Sequence, residues 1–234
     1  MLDGPVILVV EDEPDIQELI CYHLEREHFA TVKASTGDEA LHIIKTSNPS
    51  LVLLDLMLPG ISGIEVLKTI RYVLQLATLP VIIVSARTDE SDIITGLELG
   101  ADNYLPKPFN PKILVANVKA LLRRAAASGQ TDIADVSQIV SGHLRLDAVR
   151  HEAFWNDDPV LLTATEFAIM ELFAKNVGRV FTRNQLISAL RGESYPVTER
   201  SVDVQIASLR RKLNDGQNSI KTVWGIGYSF QDTQ

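Results

Sequence analysis

Cysteine is almost absent from this 234-residue chain. Cys21 stands alone, so no internal disulfide can form, and no spacing of His and Cys suits a zinc site. There is also no hydrophobic run of the roughly 20 residues that a membrane helix needs. The best candidate, Leu51 to Leu58, is interrupted by Asp55. The opening residues, Met1-Leu2-Asp3-Gly4-Pro5, carry neither a basic stretch nor a long apolar one, so no secretory signal is expected. These absences point to a cytoplasmic location and away from a membrane partner. With 46% apolar and 22% charged residues, disorder as the main character is excluded too. At roughly 100–200 residues per domain, the length suits one large domain or two modest ones.

The net charge of −8 argues at first against nucleic acid, but its distribution is uneven. Residues 1–125 hold 11 Lys/Arg against 17 Asp/Glu, and residues 126–234 hold 11 against 13. Between Arg179 and Lys212 the balance reverses to 7 basic against 3 acidic residues. An acidic front and a local basic segment near the back are hidden in the overall sign.

The first half alternates short apolar runs with amphipathic segments. Strands are expected at Val6–Val10, Thr31–Ala34, Leu51–Asp55, Pro80–Val84 and Asn103–Leu105. Helices are expected from Pro14 (with Ile16, Leu19, Ile20 and Leu24 on one face), at 38–45, Ile64–Arg71, Asp89–Leu99 and Pro111–Arg124. Five strand–helix units imply a doubly wound, five-stranded parallel sheet covered on both faces, an α/β domain over 1–124. Periodicity stops near Ala125, and small and polar residues predict a linker over 125–138. The remainder, 139–234, changes grammar. Short antiparallel strands are expected at Leu144–Asp147, Ala153–Trp155 and Val160–Leu162. Two helix starts follow with capping-box spacing, Thr163 with Glu166 and Thr182 with Gln185, ending at Gly178 and Gly192. A third helix is expected from about Glu199 to Leu213, burying Val202, Ile206, Leu209 and Leu213. The aromatic and β-branched run Thr222–Phe230, interrupted by Gly225 and Gly227, predicts a hairpin. The order describes an α+β winged helix-turn-helix.

In a doubly wound sheet the working groups sit beyond the carboxyl ends of the strands. Those ends carry Glu11 and Asp12 after the first strand, Asp55 at the third, Ser85 at the fourth and Lys107 at the fifth. A lone aspartate at a strand end is usually a turn residue or a helix cap; all of these at the right ends make a site. Three converging carboxylates repel one another unless a cation joins them, and a hard divalent ion such as Mg2+ suits oxygen ligands. A hydroxyl and an ammonium opposite that ion suit a transferred phosphoryl group, and Asp55 then reads as a nucleophile forming an acyl phosphate.

The motifs Val-Val-Glu-Asp-Glu-Pro (9–14), Leu-Leu-Asp-Leu-Met-Leu-Pro-Gly (53–60), Val-Ser-Ala-Arg (84–87) and Gly-Ala-Asp-Asn-Tyr-Leu-Pro-Lys-Pro-Phe (100–109) resemble a bacterial response-regulator receiver. Leu-Thr-Ala-Thr-Glu-Phe (162–167), Arg-Ser-Val-Asp-Val (200–204) and Gly-Ile-Gly-Tyr (225–228) resemble the DNA-binding domain of the OmpR/PhoB family. The resemblance covers nearly the whole chain outside the linker. It implies that Asp55 accepts phosphate from a histidine on a sensor kinase, since none of the five histidines here sits in a phosphotransfer context. It also implies that Asp12, Glu11, Asp55 and the Met57 carbonyl hold Mg2+, and that Ser85 and Lys107 grip the phosphoryl oxygens. The Lys107–Pro108 bond would be cis, and Tyr104 would swing inward once Ser85 shifts. Phosphate would then favour one of two arrangements of the face from Asp89 to Arg124. Beyond this self-phosphorylation no enzyme activity is implied. The implied output is DNA binding to paired half-sites by a phosphorylated homodimer, with RNA polymerase as a further partner.

Against the family pattern, Ile93 and Ile113 stand where an Arg–Glu pair is expected, and Asn103 and Asn117 where an Asp–Arg pair is expected. Glu98 with Lys119 and Asp102 with Arg124 could still pair across a dimer. Losing both members of an ion pair can be neutral or favourable, whereas losing one strands a charge. An apolar Ile93–Ile113 contact and an amide contact at Asn103/Asn117 are therefore expected, with a face that no longer dimerises in the family manner as the alternative. On the third helix of the second domain, Arg200, Ser201, Val204, Gln205, Ser208 and Arg211 are expected on the open face. Arg200 and Arg210 read as phosphate contacts, and Ser201, Val204 and Ser208 as base-edge contacts. Trp224 stands where an Arg reaching DNA is expected; packing under the hairpin and contact with DNA sugars both remain open. The rival readings are a regulator of the same shape that works without phosphate, an aspartyl-phosphate hydrolase and a flavin-binding module. Asp55-Leu56-Met57 lacks the second Asp of the hydrolase motif, and no Gly- or Ser/Thr-rich phosphate loop follows Val10.

Overall fold

The computed structural model describes residues 4–127, 138–191 and 199–231. They form two compact units, Met1–Leu122 and Arg123–Gln234.

The first unit is built on β1 (Val6–Val10), β2 (Ala30–Ala34), β3 (Leu51–Leu54), β4 (Val81–Ser85) and β5 (Asn103–Pro106), all parallel in the order β2-β1-β3-β4-β5. β3 and β4 are buried at every residue, as parallel strands covered on both faces must be. The covering helices are α1 (Pro14–Glu25), α2 (Gly37–Ser47), α3 (Gly63–Lys68), α4 (Glu90–Glu98) and α5 (Pro111–Ala127). Their starts are chemically marked: Pro14 opens α1, the Thr36 side chain accepts from Glu39 N at α2, and Ser62 with Glu65 forms a capping box at α3. Because the strand order turns at β1 and β3, the loops after those strands part and leave a crevice at their carboxyl ends.

Three expectations shift here. Leu19, expected on the packed face of α1, is exposed, and Gln17 and Cys21 are buried beside Ile20 and Leu24 instead. α3 runs on into a π-helical turn, Thr69–Val73, which directs Arg71 inward. Residues 125–127 close α5 and Gln138 opens the next strand, so the expected linker falls mostly outside the described residues.

The second unit begins with a four-stranded antiparallel sheet, β6 (Gln138–Ser141), β7 (Leu144–Asp147), β8 (Glu152–Trp155) and β9 (Asp158–Val160). β6 was not expected from the sequence, and β9 ends where a strand was expected to begin. Three helices follow, α6 (Ala164–Ala174), α7 (Arg183–Arg191) and α8 (Glu199–Leu213). Both expected capping boxes form: Thr163 with Glu166, and Thr182 with Gln185. Gly178 follows α6 in a left-handed conformation, while Gly192 lies outside the described residues. The short β10 (Val180–Thr182) pairs with the closing hairpin β11 (Ile220–Val223) and β12 (Gly227–Phe230) in the order β10-β12-β11. Phe167, Phe173, Phe181, Leu186, Ile206, Leu209 and Phe230 form the centre of its core. This is a receiver-type α/β domain followed by a winged helix-turn-helix domain.

Candidate functional site

The crevice of the first unit gathers its polar groups by sheet register. The Asp55 amide donates to the Val10 carbonyl at 3.0 Å and the Lys107 amide to the Ser85 carbonyl at 2.8 Å, so the loops after β1, β3, β4 and β5 are laced together. Gln17 locks the first of them, its amide donating to the carbonyls of Glu11 (2.9 Å) and Ala34 (3.0 Å). Ligand oxygens of Glu11, Asp12 and Asp55 lie within 4.8 Å of one another. Glu11 and Asp55 are buried and Asp12 is exposed. Lys107 Nζ donates to Asp55 Oδ2 at 2.6 Å and to Glu11 Oε1 at 2.8 Å, and Glu13 stands 3.7 Å away. The second oxygen of Asp55 accepts the Met57 amide at 2.9 Å. The Lys107–Pro108 peptide is cis.

The electrostatics follow from this crowding. Burial pushes Glu11 up to about 7, with the Asp55 charge adding to the effect and Lys107 opposing it. Burial alone would lower Lys107, but its hydrogen bonds with Asp55 and Glu11 carry it above the usual lysine value. One ammonium thus serves two buried carboxylates, and a third acidic group opens to solvent beside them. That donor set fits a hard divalent cation: oxygen-only, with more negative charge than its one lysine neutralises.

Ser85 is fully buried, and its Oγ accepts the Arg87 amide at 3.3 Å. Tyr104 is buried, its hydroxyl donating to the Arg87 carbonyl at 2.7 Å. Burial pushes its pKa up to about 12, with Ser85 opposing. Gly96 makes this packing possible, since a Cβ there would stand 2.6 Å from Ile83 and 3.3 Å from the Tyr104 ring. Gly63 is as tightly constrained: its Cβ would fall 2.0 Å from the Asp55 carbonyl oxygen. Neither glycine was singled out from the sequence, where nothing distinguishes a packing glycine from a turn glycine.

The expected dimer face requires correction. Asp102 is fully buried and takes its partner from within the chain: Arg71 Nη2 lies 3.1 Å from its Oδ2, which also accepts the Val81 amide at 3.0 Å. Arg71 further donates to the carbonyls of Gly100 (2.9 Å) and Leu76 (2.6 Å). Asn103 and Asn117 are buried, the first accepting the Tyr104 amide at 2.7 Å and the second donating to the Ile113 carbonyl at 2.8 Å. Lys119 pairs with Glu27 at 2.5 Å. Ile93 and Ile113 are half-buried and Glu98 is exposed, while the side chain of Arg124 lies outside the described residues.

The open face expected on α8 is also corrected. Ser201, Val204, Gln205 and Ser208 are all buried. Ser208 donates to Glu166 Oε1 at 2.7 Å, and Lys212 contacts the other oxygen at 2.5 Å. Glu166, missed as anything beyond a cap, is therefore a buried tie between the start of α6 and α8. Arg210 is not an open phosphate contact: it donates twice to the Ile220 carbonyl, at 3.1 and 2.7 Å, and to Thr222 Oγ1 at 2.8 Å. Arg211 is exposed, and the side chain of Arg200 lies outside the described residues. Trp224 does not pack under the hairpin; it is 90% exposed at its tip. No helix among the described residues is long and apolar enough to cross a membrane.

Comparison with known proteins gives the same two-part division. Residues 7–119 match the family model described as a response regulator receiver domain. Residues 157–230 match the model described as transcriptional regulatory protein, C terminal. The chain is 40% identical over 233 residues to the alkaline phosphatase synthesis transcriptional regulatory protein PhoP of Bacillus subtilis, covering 97% of this chain and 96% of that one. It is 38% identical over 226 residues to the phosphate regulon transcriptional regulatory protein PhoB of Escherichia coli, covering 96% of each. Among solved structures, response regulator DrrB of Thermotoga maritima, an OmpR/PhoB homolog, aligns with a TM-score of 0.51 at 32% identity over 97% of this chain and 99% of its own. A C128S mutant of RitR aligns with a TM-score of 0.77 at 25% identity, covering 98% and 100%.

Proposed function

The chain belongs to the OmpR/PhoB family of two-component response regulators, which act on transcription through a receiver and a DNA-binding winged helix, and from that premise we propose that Asp55 is its phosphoryl acceptor and switch. The observation that carries this reading is the pairing of Asp55 with Lys107 at 2.6 Å inside an acidic cluster. In the proposed transfer an Asp55 oxygen attacks the phosphorus of a phosphohistidine on a partner kinase, and the imidazole leaves with the bonding electron pair. Lys107 leaves its carboxylate partner to meet a phosphoryl oxygen, and the Ser85 hydroxyl donates to another. Glu11, Asp12, Asp55 and the Met57 carbonyl would hold Mg2+, which supplies charge neutralisation for the transferred group. The Ser85 shift is coupled to Tyr104 through the Arg87 carbonyl that Tyr104 already engages.

Phosphorylation then biases the face around α4, β5 and α5 toward a homodimer that binds paired half-sites on duplex DNA, with RNA polymerase as a further partner. Arg200 and Arg211 supply cations to the phosphates, a contact that sets affinity more than sequence. A second reading, a regulator of the same shape working without phosphate, is favoured by the altered dimer face, where Asp102 takes Arg71 of its own chain as partner.

Gel filtration with light scattering decides between them, using protein with Mg2+ before and after beryllofluoride. A monomer that becomes a dimer, with Asp55→Ala remaining a monomer, is the expected result. An unchanged wild-type mass, or an Asp55→Ala variant that responds equally, overturns the phosphate switch.

A further inference from the structure

The turn between β1 and α1 carries two of the three clustered carboxylates, and a single residue of α1 holds it at both ends. The Gln17 backbone amide donates to the Glu13 carbonyl at 3.0 Å, and its side-chain amide donates to the Glu11 carbonyl at 2.9 Å. The same side chain also donates to the Ala34 carbonyl at the end of β2, at 3.0 Å. That carbonyl accepts the Glu11 amide as well, at 3.0 Å. Gln17 is buried, so both protons of a neutral amide are spent on main-chain carbonyls away from water.

This tie stands in for an ordinary helix cap. Glu13, at the cap position of α1, makes no side-chain bond to the helix start. Pro14 stiffens the first helical residue but has no amide proton to give. The Asp12 side chain is exposed, so the place of its carboxylate follows the main chain on either side of it. With ligand oxygens of Glu11, Asp12 and Asp55 inside 4.8 Å, like charges push the turn away from β3. Gln17 resists that push without adding a charge of its own.

Divalent ions differ in how much they need such resistance. Mg2+ demands near-ideal octahedral oxygens at about 2.0–2.1 Å, whereas Ca2+ takes a flexible shell at about 2.3–2.6 Å. A turn fixed at both ends suits the first ion, and a turn that yields costs the second little.

Resting on the Mg2+ reading above, we propose that Gln17 is a positioning residue of the cation site. By holding the turn from Glu11 to Glu13 at both ends, it sets Asp12 for a small, geometrically demanding ion and so favours Mg2+ over Ca2+. It acts through the main chain and touches neither the ion nor the phosphoryl group.

The test titrates the isotope-labelled full chain with magnesium chloride and, separately, calcium chloride, reading affinity from the amide resonances around Asp12 and Asp55. Gln17→Met keeps length and bulk but removes the donors. It is expected to lose about tenfold in Mg2+ affinity, the lower end of the range for a group that orients a ligand, and less than about threefold in Ca2+ affinity. Gln17→Asn, whose amide is one methylene short, is expected to shift the same way by less, and it carries the comparison if Gln17→Met does not fold. Leu24→Val thins the buried face of α1 at the end away from the turn, and is expected to leave both affinities as in the wild type. Equal losses for the two ions, or no loss for either, in the Gln17 variants overturn the positioning role. So does the same selective loss in Leu24→Val, since packing of α1 alone would then account for it. A wild type that binds neither ion sinks the cation reading itself, a result distinct from wild-type binding with indifferent variants.

Discussion

Lys107 Nζ lies 2.6 Å from Asp55 Oδ2, and the same ammonium reaches Glu11 at 2.8 Å. One cation from the loop after β5 therefore holds together carboxylates delivered by β1 and β3. Removing it leaves two buried acidic groups facing each other, at a cost of about 3–5 kcal/mol for a fully enclosed pair; the opening toward Asp12 brings the expectation down to about 2–3 kcal/mol. Urea unfolding of Lys107→Met should show that loss at neutral pH. Mg2+ should restore more stability to the variant than it adds to the wild type, because the variant's site carries one more uncompensated charge. An equal Mg2+ effect in both proteins would show that the lysine and the cation do not share these carboxylates.

Glu11 adds a pH signature. Its pKa is raised from 4.5 to about 7, first by burial and then by the Asp55 charge. A folded-state pKa above the unfolded one makes its contribution to stability full below about 4.5, and that contribution is lost as pH rises through about 7. A divalent cation must displace the retained proton, so Mg2+ affinity is expected to rise by about tenfold per pH unit up to about pH 7 and to flatten above it. Titration calorimetry in buffers of differing ionisation enthalpy checks this through proton release at pH 6. Proton release that persists unchanged in Glu11→Gln would assign the proton to another group.

The parts of this architecture legible in the sequence are those whose cause is local. Val6–Val10 and Val81–Val84 are continuous apolar runs because parallel strands are covered on both faces, and the Thr163/Glu166 and Thr182/Gln185 boxes mark helix starts by hydrogen bonds spanning three residues. The strand-end residues of the site follow from the same register. What sequence could not show are partners set by tertiary packing. Asp102 meets Arg71 across 31 positions, through a π turn whose periodicity is close to that of the helix before it. Ser208 meets Glu166 across 42. The amphipathic pattern of α8 is the same whether its small polar residues face DNA or a buried glutamate, and only the packed structure separates the two.

The Arg71–Asp102 pair leads to a stability prediction. Both side chains are buried, and Arg71 spends its donors on Asp102 and on the carbonyls of Gly100 and Leu76, fastening the π turn to the segment that enters β5. Arg71→Ala strands Asp102 and two carbonyls, and should lower stability by about 3–5 kcal/mol. Asp102→Asn keeps an acceptor for Val81 and should cost less, while Arg71→Ala combined with Asp102→Asn should lose less than the sum of the two single variants. Chemical denaturation of the three variants measures this directly. Additive losses in the double variant would mean that the two side chains are not energetically coupled.

The same internal pairing bears on association between copies. With Asp102 committed to Arg71 and the Asn117 amide to its own helix, one ionic and one amide group of the expected face are engaged inside the chain. Lys119, paired with Glu27, is a third, although that pair is exposed and easily exchanged. Half-buried Ile93 and Ile113 are then the apolar side chains that the proposed dimer face would offer. Ion pairs at an exposed interface weaken as the Debye length falls from about 10 Å at 0.1 M salt to about 3 Å at 1 M, whereas apolar contacts strengthen or hold. The proposed beryllofluoride-induced dimer should therefore change its dissociation constant by less than about threefold over that range. Ile113→Glu should weaken it about tenfold or more by burying an unpaired charge, and adding Ile93→Arg should restore association in a form that salt dissolves. Sedimentation equilibrium at low and high salt follows all three proteins; a wild-type dimer that dissociates steeply with salt would place the association energy in ion pairs rather than in Ile93 and Ile113.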